Sequence, residues 1–104
     1  PQRARSYAFC SDTIYDPRLT DIVRGVDLLY HEATFLSDLE DRARETFHST
    51  AGQAAAIARD AQVKRLIIGH FSARYKNLYP LLEEAKAVYA STTLAMEGDR
   101  FSIE

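Results

Sequence analysis

Short apolar runs that alternate with helix-like stretches are the feature that most constrains this 104-residue chain. The predicted strands are short, mostly apolar and bounded by turn residues, and they cover residues 5–12, 26–30 and 63–69. Residues 92–96 and 101–103 are predicted to form a terminal hairpin, with Gly98-Asp99 as its turn. With helices between the strands, the order is β-α-β-α-β-α-β-β. This order predicts an α/β fold whose helices pack on a sheet.

Capping residues set the expected helix boundaries. Asp16 as N-cap and Pro17 at the first helical position are expected to open a helix that ends at Gly25, with Leu19, Ile22 and Val23 on one apolar face. Further helical segments are predicted at residues 38–45, where an ordered loop is the alternative, from Ser49 or Thr50 to about Ala61, and at residues 80–89. The helix that ends near Ala61 is rich in alanine, and such small residues let a helix lie close to a sheet.

Four polar clusters stand at the ends of predicted core elements, and they contain all three histidines of the chain: Ser11-Asp12-Thr13, His31-Glu32, His48-Ser49-Thr50 and Gly69-His70. Gly69 is expected to let the backbone bend or approach another group closely. Open α/β sheets bind their ligands at the carboxyl ends of strands. Asp and His are ligands of zinc and similar metals, and a carboxylate can bridge two ions. The pattern predicts a metal or hydrolytic site, although each cluster alone could be a cap or a structural hydrogen bond.

Composition excludes some functions and leaves others open. A net charge of −2 argues against a chain that binds nucleic acid through its overall charge. Cys10 is the single cysteine, so an internal disulfide or thiolate cluster is excluded, and a small buried hydrophobe in a reducing compartment is expected. No apolar run reaches membrane-spanning length. A start at Pro1, almost directly before a predicted core strand, suggests a piece of a longer protein.

Four motifs together are similar to a known family. Cys10-Ser11-Asp12-Thr13, the run from His31 to Phe35, His48-Ser49-Thr50-Ala51 and the run from Gly69 to Tyr75 resemble the C-terminal part of ribonuclease Z. That family consists of zinc-dependent endoribonucleases of the metallo-β-lactamase fold, which remove the 3′ trailer from tRNA precursors. The resemblance implies that residues 1–104 are the C-terminal half of an αββα sandwich. The N-terminal part, with its His-x-His-x-Asp-His motif, is then absent from this chain.

The resemblance also implies roles for individual residues. Asp12 would be the carboxylate that bridges two zinc ions, and His70 a terminal ligand of one of them. His48 would be the catalytic histidine that protonates the leaving 3′ oxygen, next to a helix terminus that favours anions. Glu32 would orient His48 or a ligand. For His31, a structural hydrogen bond with Glu32 is the preferred interpretation.

Arg74 and Tyr75 would contact a phosphate or the terminal nucleotide of the substrate, with simple packing as the alternative for Tyr75. The expected cofactor is Zn²⁺, two ions in a complete site. The expected partners are precursor tRNA and a second copy of the full-length chain, without a membrane, in the cytoplasm. Two other hypotheses stay open: a non-catalytic α/β module, and a different metallo-β-lactamase-type hydrolase with a non-RNA substrate.

Overall fold

A single parallel sheet organises the computed structural model, which describes residues 5–95. Its strands are β1 (Tyr7–Cys10), β2 (Leu28–Glu32), β3 (Arg65–Gly69) and β4 (Thr92–Leu94). They lie in the order β1-β2-β3-β4, and each neighbouring pair is parallel. The first strand of the predicted terminal hairpin therefore exists as β4, whereas residues 98–103 lie outside the described residues.

The helices are α1 (Leu19–Ile22), α2 (Glu40–Glu45), α3 (Ala51–Ala61) and α4 (Tyr79–Val88), and a 3₁₀ turn at Ser37–Leu39 precedes α2. Connections between parallel strands are right-handed, so strands that follow the chain in order collect their helices on one face of the sheet. Accordingly, α3 packs against β2 and β3 and also against α1 and α4. The predicted α/β order is confirmed as far as β4. None of the helices within residues 5–95 is long and apolar enough to cross a membrane.

The core lies between α3 and the sheet. Ala54, Ala55 and Ala58 of α3 are fully buried, as are Leu66 and Ile68 of β3. Because alanine side chains are short, the helix approaches the strands closely, as the sequence predicted. Cys10 packs against this core, and burial raises the pKa of its thiol, which fits the expected small hydrophobe.

The first predicted helix is wrong at its start and at one residue of its apolar face. Helix α1 begins at Leu19 rather than at Pro17, because the Asp16 carboxylate accepts hydrogen bonds from the Arg18 backbone N–H, at 3.0 Å, and from its guanidinium. These contacts make a turn before the helix. Val23 is buried and Leu19 packs against the core, as predicted, whereas Ile22 is 75% exposed.

The second strand runs further along the chain than the prediction. Strand β2 includes His31 and Glu32, which the sequence had placed after the strand end. Glu32 pairs in register with Gly69 of β3, so the parallel ladder continues through both polar residues. Both residues are fully buried, and this burial is tolerated because hydrogen bonds satisfy most of their polar side-chain atoms.

Candidate active site

Three strand ends and one loop bring four polar side chains together. Asp12 follows β1 by two residues, Glu32 is the last residue of β2, and His70 comes directly after β3. His48 lies two residues before Thr50, the N-cap of α3. One nitrogen or oxygen ligand atom from each of the four lies within 4.8 Å of the others. The convergence that the sequence predicted at the carboxyl edge of the sheet is therefore present.

Left-handed backbone conformations occur at this edge. Asp12 has a φ of 51° and His70 a φ of 61°, and Phe47, directly before His48, also has a φ of 61°. Residues other than glycine rarely adopt positive φ, and such strain is concentrated at functional sites. Asp12 and His70, whose side chains lie close together, both have this unusual backbone conformation beyond the ends of their strands.

Glu32 is the centre of the hydrogen-bond network. Its carboxylate is fully buried and accepts hydrogen bonds from the backbone N–H groups of Thr13, at 2.7 Å, and Ser49, at 3.1 Å. It also accepts from the Thr34 hydroxyl and contacts His48 Nδ1 at 2.8 Å. A carboxylate has about four acceptor positions, and these four partners fill them. Glu32 therefore holds the surrounding groups in place and keeps no free position for a metal ion.

Asp12 and His70 form the open part of the cluster. The Asp12 Oδ1 atom lies 3.4 Å from His70 Nε2, and their side chains are 74% and 47% exposed. A carboxylate oxygen and an imidazole nitrogen are zinc-type ligands. These two atoms thus fit a metal ion between them, but a catalytic zinc site usually has three protein ligands.

His48 stands between the two parts of the site. Its ring centroid is 5.3 Å from that of His70, and its side chain is 22% exposed. Glu32 holds Nδ1, which leaves Nε2 as the nitrogen that can exchange a proton with a bound molecule. The Phe35 ring meets the His48 ring edge-on, with 6.4 Å between centroids.

His31 has a structural environment, as its preferred interpretation implied. It is fully buried, and its Nδ1 is 2.7 Å from the backbone carbonyl oxygen of Glu32 rather than from the carboxylate. Burial lowers the pKa of His31, against the smaller opposing effects of this hydrogen bond and of the Glu32 charge. A neutral ring with Nδ1–H donating to the carbonyl follows from these contacts.

The structure places Arg74 and Tyr75 beside the cluster and not within it. The Arg74 guanidinium lies over the Phe35 ring, 5.6 Å from its centroid. The Phe35 ring in turn contacts His48, so Phe35 lies between Arg74 and His48. The Tyr75 hydroxyl accepts a hydrogen bond from the Leu36 backbone N–H at 2.8 Å. Tyr75 therefore anchors the loop after β2, while Arg74 keeps an exposed guanidinium.

The residue-by-residue prediction missed Thr34. Its hydroxyl contacts both the Glu32 carboxylate and, at 3.2 Å, His70 Nδ1. Thr34 belongs to the motif from His31 to Phe35, but the sequence does not show in which direction its hydroxyl points. The contact between Thr34 and His70 depends on the pairing of β2 with β3, which brings the ends of the two strands together.

A cavity of about 630 Å³ opens next to His48 on the helix side of the sheet. Its walls come from the loop after β1, from α2, α3 and α4, and they include Tyr15, Arg44, Gln53 and Ala56. This volume is within the range of pockets that hold small molecules. Because His48 lines the cavity, a group bound there would lie against its ring.

The comparisons with known proteins agree with this geometry. The family model of the beta-lactamase superfamily domain matches residues 2–71. The chain therefore belongs to the beta-lactamase superfamily. Within it, the chain is 57% identical over 99 residues to Ribonuclease Z of Parabacteroides distasonis, which covers 95% of this chain and 33% of that relative. It is 50% identical over 101 residues to Ribonuclease Z of Cytophaga hutchinsonii, with 97% and 32% covered.

Solved structures give the same result for the fold. A metallo-beta-lactamase fold protein from Bacillus subtilis superimposes with a TM-score of 0.85 at 23% identity, over 92% of this chain and 39% of that one. Human tRNase Z, short form, superimposes with a TM-score of 0.66 at 33% identity, over 91% and 31%. The predicted metallo-β-lactamase fold and the resemblance to ribonuclease Z are confirmed. The chain spans about a third of the length of the curated relatives it matches.

Proposed function

We propose that the whole protein containing this chain is a metal-dependent endoribonuclease that removes the 3′ trailer of precursor tRNA. The observation that carries the proposal is the cluster of Asp12, Glu32, His48 and His70, whose ligand atoms lie within 4.8 Å of one another. The sequence similarity to proteins named Ribonuclease Z supports the choice of substrate. A cytoplasmic location and a homodimer for the whole protein are part of the same proposal.

Asp12 and His70 are the metal ligands in this proposal, and Zn²⁺ is the metal, with two ions in the complete site. Bound zinc supplies a Lewis acid that activates water and stabilises charge on the phosphate. Because two side chains are too few for a catalytic zinc site, the remaining ligands come from outside residues 1–104. This chain then forms the C-terminal part of a metallo-β-lactamase-like domain.

His48 is the general acid. Its Nε2 gives a proton to the 3′ oxygen as the bond between that oxygen and phosphorus breaks. A water molecule supplies the new oxygen on phosphorus and releases one proton to solvent, and His48 takes a proton from solvent to begin the next cycle. The Glu32 carboxylate, 2.8 Å from Nδ1, orients the ring so that Nε2 faces the bound substrate. Glu32 thus acts through His48 as a positioning residue.

Substrate contacts come from both sides of His48. The exposed Arg74 guanidinium offers a two-pronged donor to a phosphate, and its position over Phe35 supports that role. Tyr75 contributes by holding the loop that carries Phe35 and Leu36, and a contact of its ring with the terminal nucleotide is part of the same proposal. The cavity beside His48 has the size to take a nucleoside.

An assay with the whole protein tests this function. We expect release of the trailer from a precursor tRNA, loss of cleavage with a chelator and recovery with added Zn²⁺. The same tRNA without a trailer serves as the control substrate. The isolated 104-residue chain should bind zinc weakly and leave the precursor intact, because it holds too few ligands.

Two results would contradict the proposal. A zinc-loaded whole protein that leaves the trailer in place while it hydrolyses a non-RNA substrate favours a different hydrolase of the superfamily. Robust, metal-dependent trailer removal by the isolated chain would show that the site is complete within residues 1–104.

A further inference from the structure

We propose that the Thr34 hydroxyl fixes His70 in its Nδ1–H tautomer and so keeps His70 Nε2 free to bind a metal ion. This deepens the proposed function and rests on its assignment of His70 as a metal ligand. Thr34 is then a positioning residue that also links His70 to the pair formed by Glu32 and His48.

The direction of the hydrogen bonds follows from the partners of Glu32. Two backbone N–H groups, those of Thr13 and Ser49, can only donate, and both point at this carboxylate. His48 Nδ1 is a third partner at 2.8 Å. The Thr13 N–H donates to Oε1 and the Ser49 N–H to Oε2, so both carboxylate oxygens act as acceptors. The single hydroxyl proton of Thr34 is therefore donated to Glu32.

His70 must then supply the proton of its own hydrogen bond with Thr34. The Thr34 oxygen has given its proton to Glu32, so it can only accept from His70 Nδ1 at 3.2 Å. A neutral imidazole carries one N–H, and with that proton on Nδ1 the lone pair is on Nε2. His70 Nε2 faces Asp12 Oδ1 at 3.4 Å, on the open side of the cluster.

Thr34 is held firmly enough to impose this arrangement. Thr34 is buried, with 6% of its surface exposed. Its backbone N–H donates to the Ser49 carbonyl, and its own carbonyl accepts from the Ser72 N–H, each at 3.0 Å. A β-branched side chain on a fixed backbone has few rotamers, so the hydroxyl stays between Glu32 and His70. Burial also limits replacement of the hydroxyl by water.

The first measurement needs no variant. The metal-free whole protein is measured at about pH 8, above the ordinary pKa of histidine, where ¹⁵N chemical shifts of the ring report which nitrogen carries the proton. A His70→Gln variant assigns the His70 signals. We expect the Nδ1–H tautomer for His70, and a parent protein with the Nε2–H tautomer would overturn the proposal.

Matched variants give the second measurement, titration with Zn²⁺ of the metal-free whole protein. Thr34→Val keeps the shape but removes the hydroxyl, and we expect zinc affinity to fall by about 10- to 100-fold, with mixed His70 tautomers. Thr34→Ser should restore both. Thr13→Val is the control, because the Thr13 hydroxyl donates to the Ile14 carbonyl at 3.2 Å and the backbone contact with Glu32 remains.

The outcomes separate this proposal from the RNA function. Unchanged zinc affinity in Thr34→Val, or a Thr34→Ser variant as weak as Thr34→Val, overturns the role of the hydroxyl. If Thr34→Val does not fold, the ¹⁵N measurement on the parent protein decides. If the tautomer and the affinities are as expected but the trailer is not removed, the proposed substrate is wrong and the role of Thr34 stands.

Discussion

The three histidines of this chain have three different environments, and these determine what each ring can do. His31 is fully buried, while the side chains of His48 and His70 are 22% and 47% exposed. Glu32 contacts His31 through its backbone and His48 through its carboxylate. Residue type alone would have made the three equivalent, whereas burial and partners separate a structural histidine from two that reach the site.

At the residue scale, His31 predicts how stability depends on pH. Burial lowers its pKa below the ordinary value of 6.5. Between the lowered pKa and 6.5, the unfolded chain binds a proton that the folded chain does not, so the free energy of unfolding rises with pH there. The stability is present above pH 6.5 and is lost as pH falls below it.

Urea unfolding of the whole protein between about pH 5 and pH 8 measures this effect. His31→Asn, which keeps a polar atom near the Glu32 carbonyl but does not titrate in this range, should show a smaller loss of stability on acidification. An equal loss in the parent and in His31→Asn would show that other groups cause it.

The sequence could predict which residues converge but not how they connect. Asp12 and His70 are predictable because both follow apolar runs, and parallel strands end at the same edge. The four partners of Glu32 were not predictable, since two of them are backbone N–H groups whose direction depends on the loops around Thr13 and Ser49. The left-handed conformation lies at His70, one residue after Gly69, where the sequence predicted a bend or a close approach.

Gly69 has a different reason to be glycine. A Cβ atom added there would clash with the Tyr30 hydroxyl oxygen, so the present position of the Tyr30 ring requires glycine at this residue. The sequence predicted a close approach at Gly69 as one alternative to a bend, and the structure identifies the neighbour. That neighbour comes from the adjacent strand β2, whose pairing a single sequence does not show.

At the element scale, α3 positions the loop that carries His48. A capping box begins the helix: the Thr50 side chain accepts from the Gln53 N–H, and the Gln53 side chain accepts from the Thr50 N–H. Glu84 of α4 adds a charged acceptor, with 2.7 Å from Oε2 to the Gly52 nitrogen. An anion at the N-terminus of a helix is favourable, so α4 stabilises the start of α3.

This cap predicts a stability change. Thr50→Ala should lower the free energy of unfolding by about 0.5–2 kcal/mol, because a helix N–H loses its partner. Thr50→Ser should stay close to the parent, since serine also caps. Thr46→Ala is a matched control, because Thr46 is exposed and its hydroxyl donates to the Arg42 carbonyl at the end of α2.

Denaturant unfolding of the whole protein compares the three variants. A Thr50→Ala variant as stable as the parent would mean that the capping box contributes nothing. Of the two caps that the sequence allowed, Ser49 or Thr50, the structure selects Thr50. The Ser49 hydroxyl does not cap the helix, because it donates to the Thr13 carbonyl, at 2.7 Å, in the loop after β1.

At the scale of the whole molecule, the described residues form one sheet with helices on a single face. On the other face, Tyr7 and Phe9 of β1 are 51% and 74% exposed, and the Phe9 ring contacts that of Tyr30 at 5.8 Å between centroids. The curated relatives are about three times as long as this chain. The exposed aromatic side chains and the two proposed metal ligands, Asp12 and His70, agree with the proposal that this chain is part of a larger metallo-β-lactamase-like domain.

The most direct test of the account is a paired measurement on the whole protein with His48→Ala and His70→Ala. Zinc content per chain and the single-turnover rate of trailer cleavage are measured for both variants and the parent. His70→Ala should lose zinc, because a ligand is removed. His48→Ala should keep zinc and substrate binding while the rate falls by about 10²–10⁴, the usual effect of removing a general acid. If His48→Ala loses zinc as fully as His70→Ala, or changes neither zinc nor rate, the account of this site is wrong.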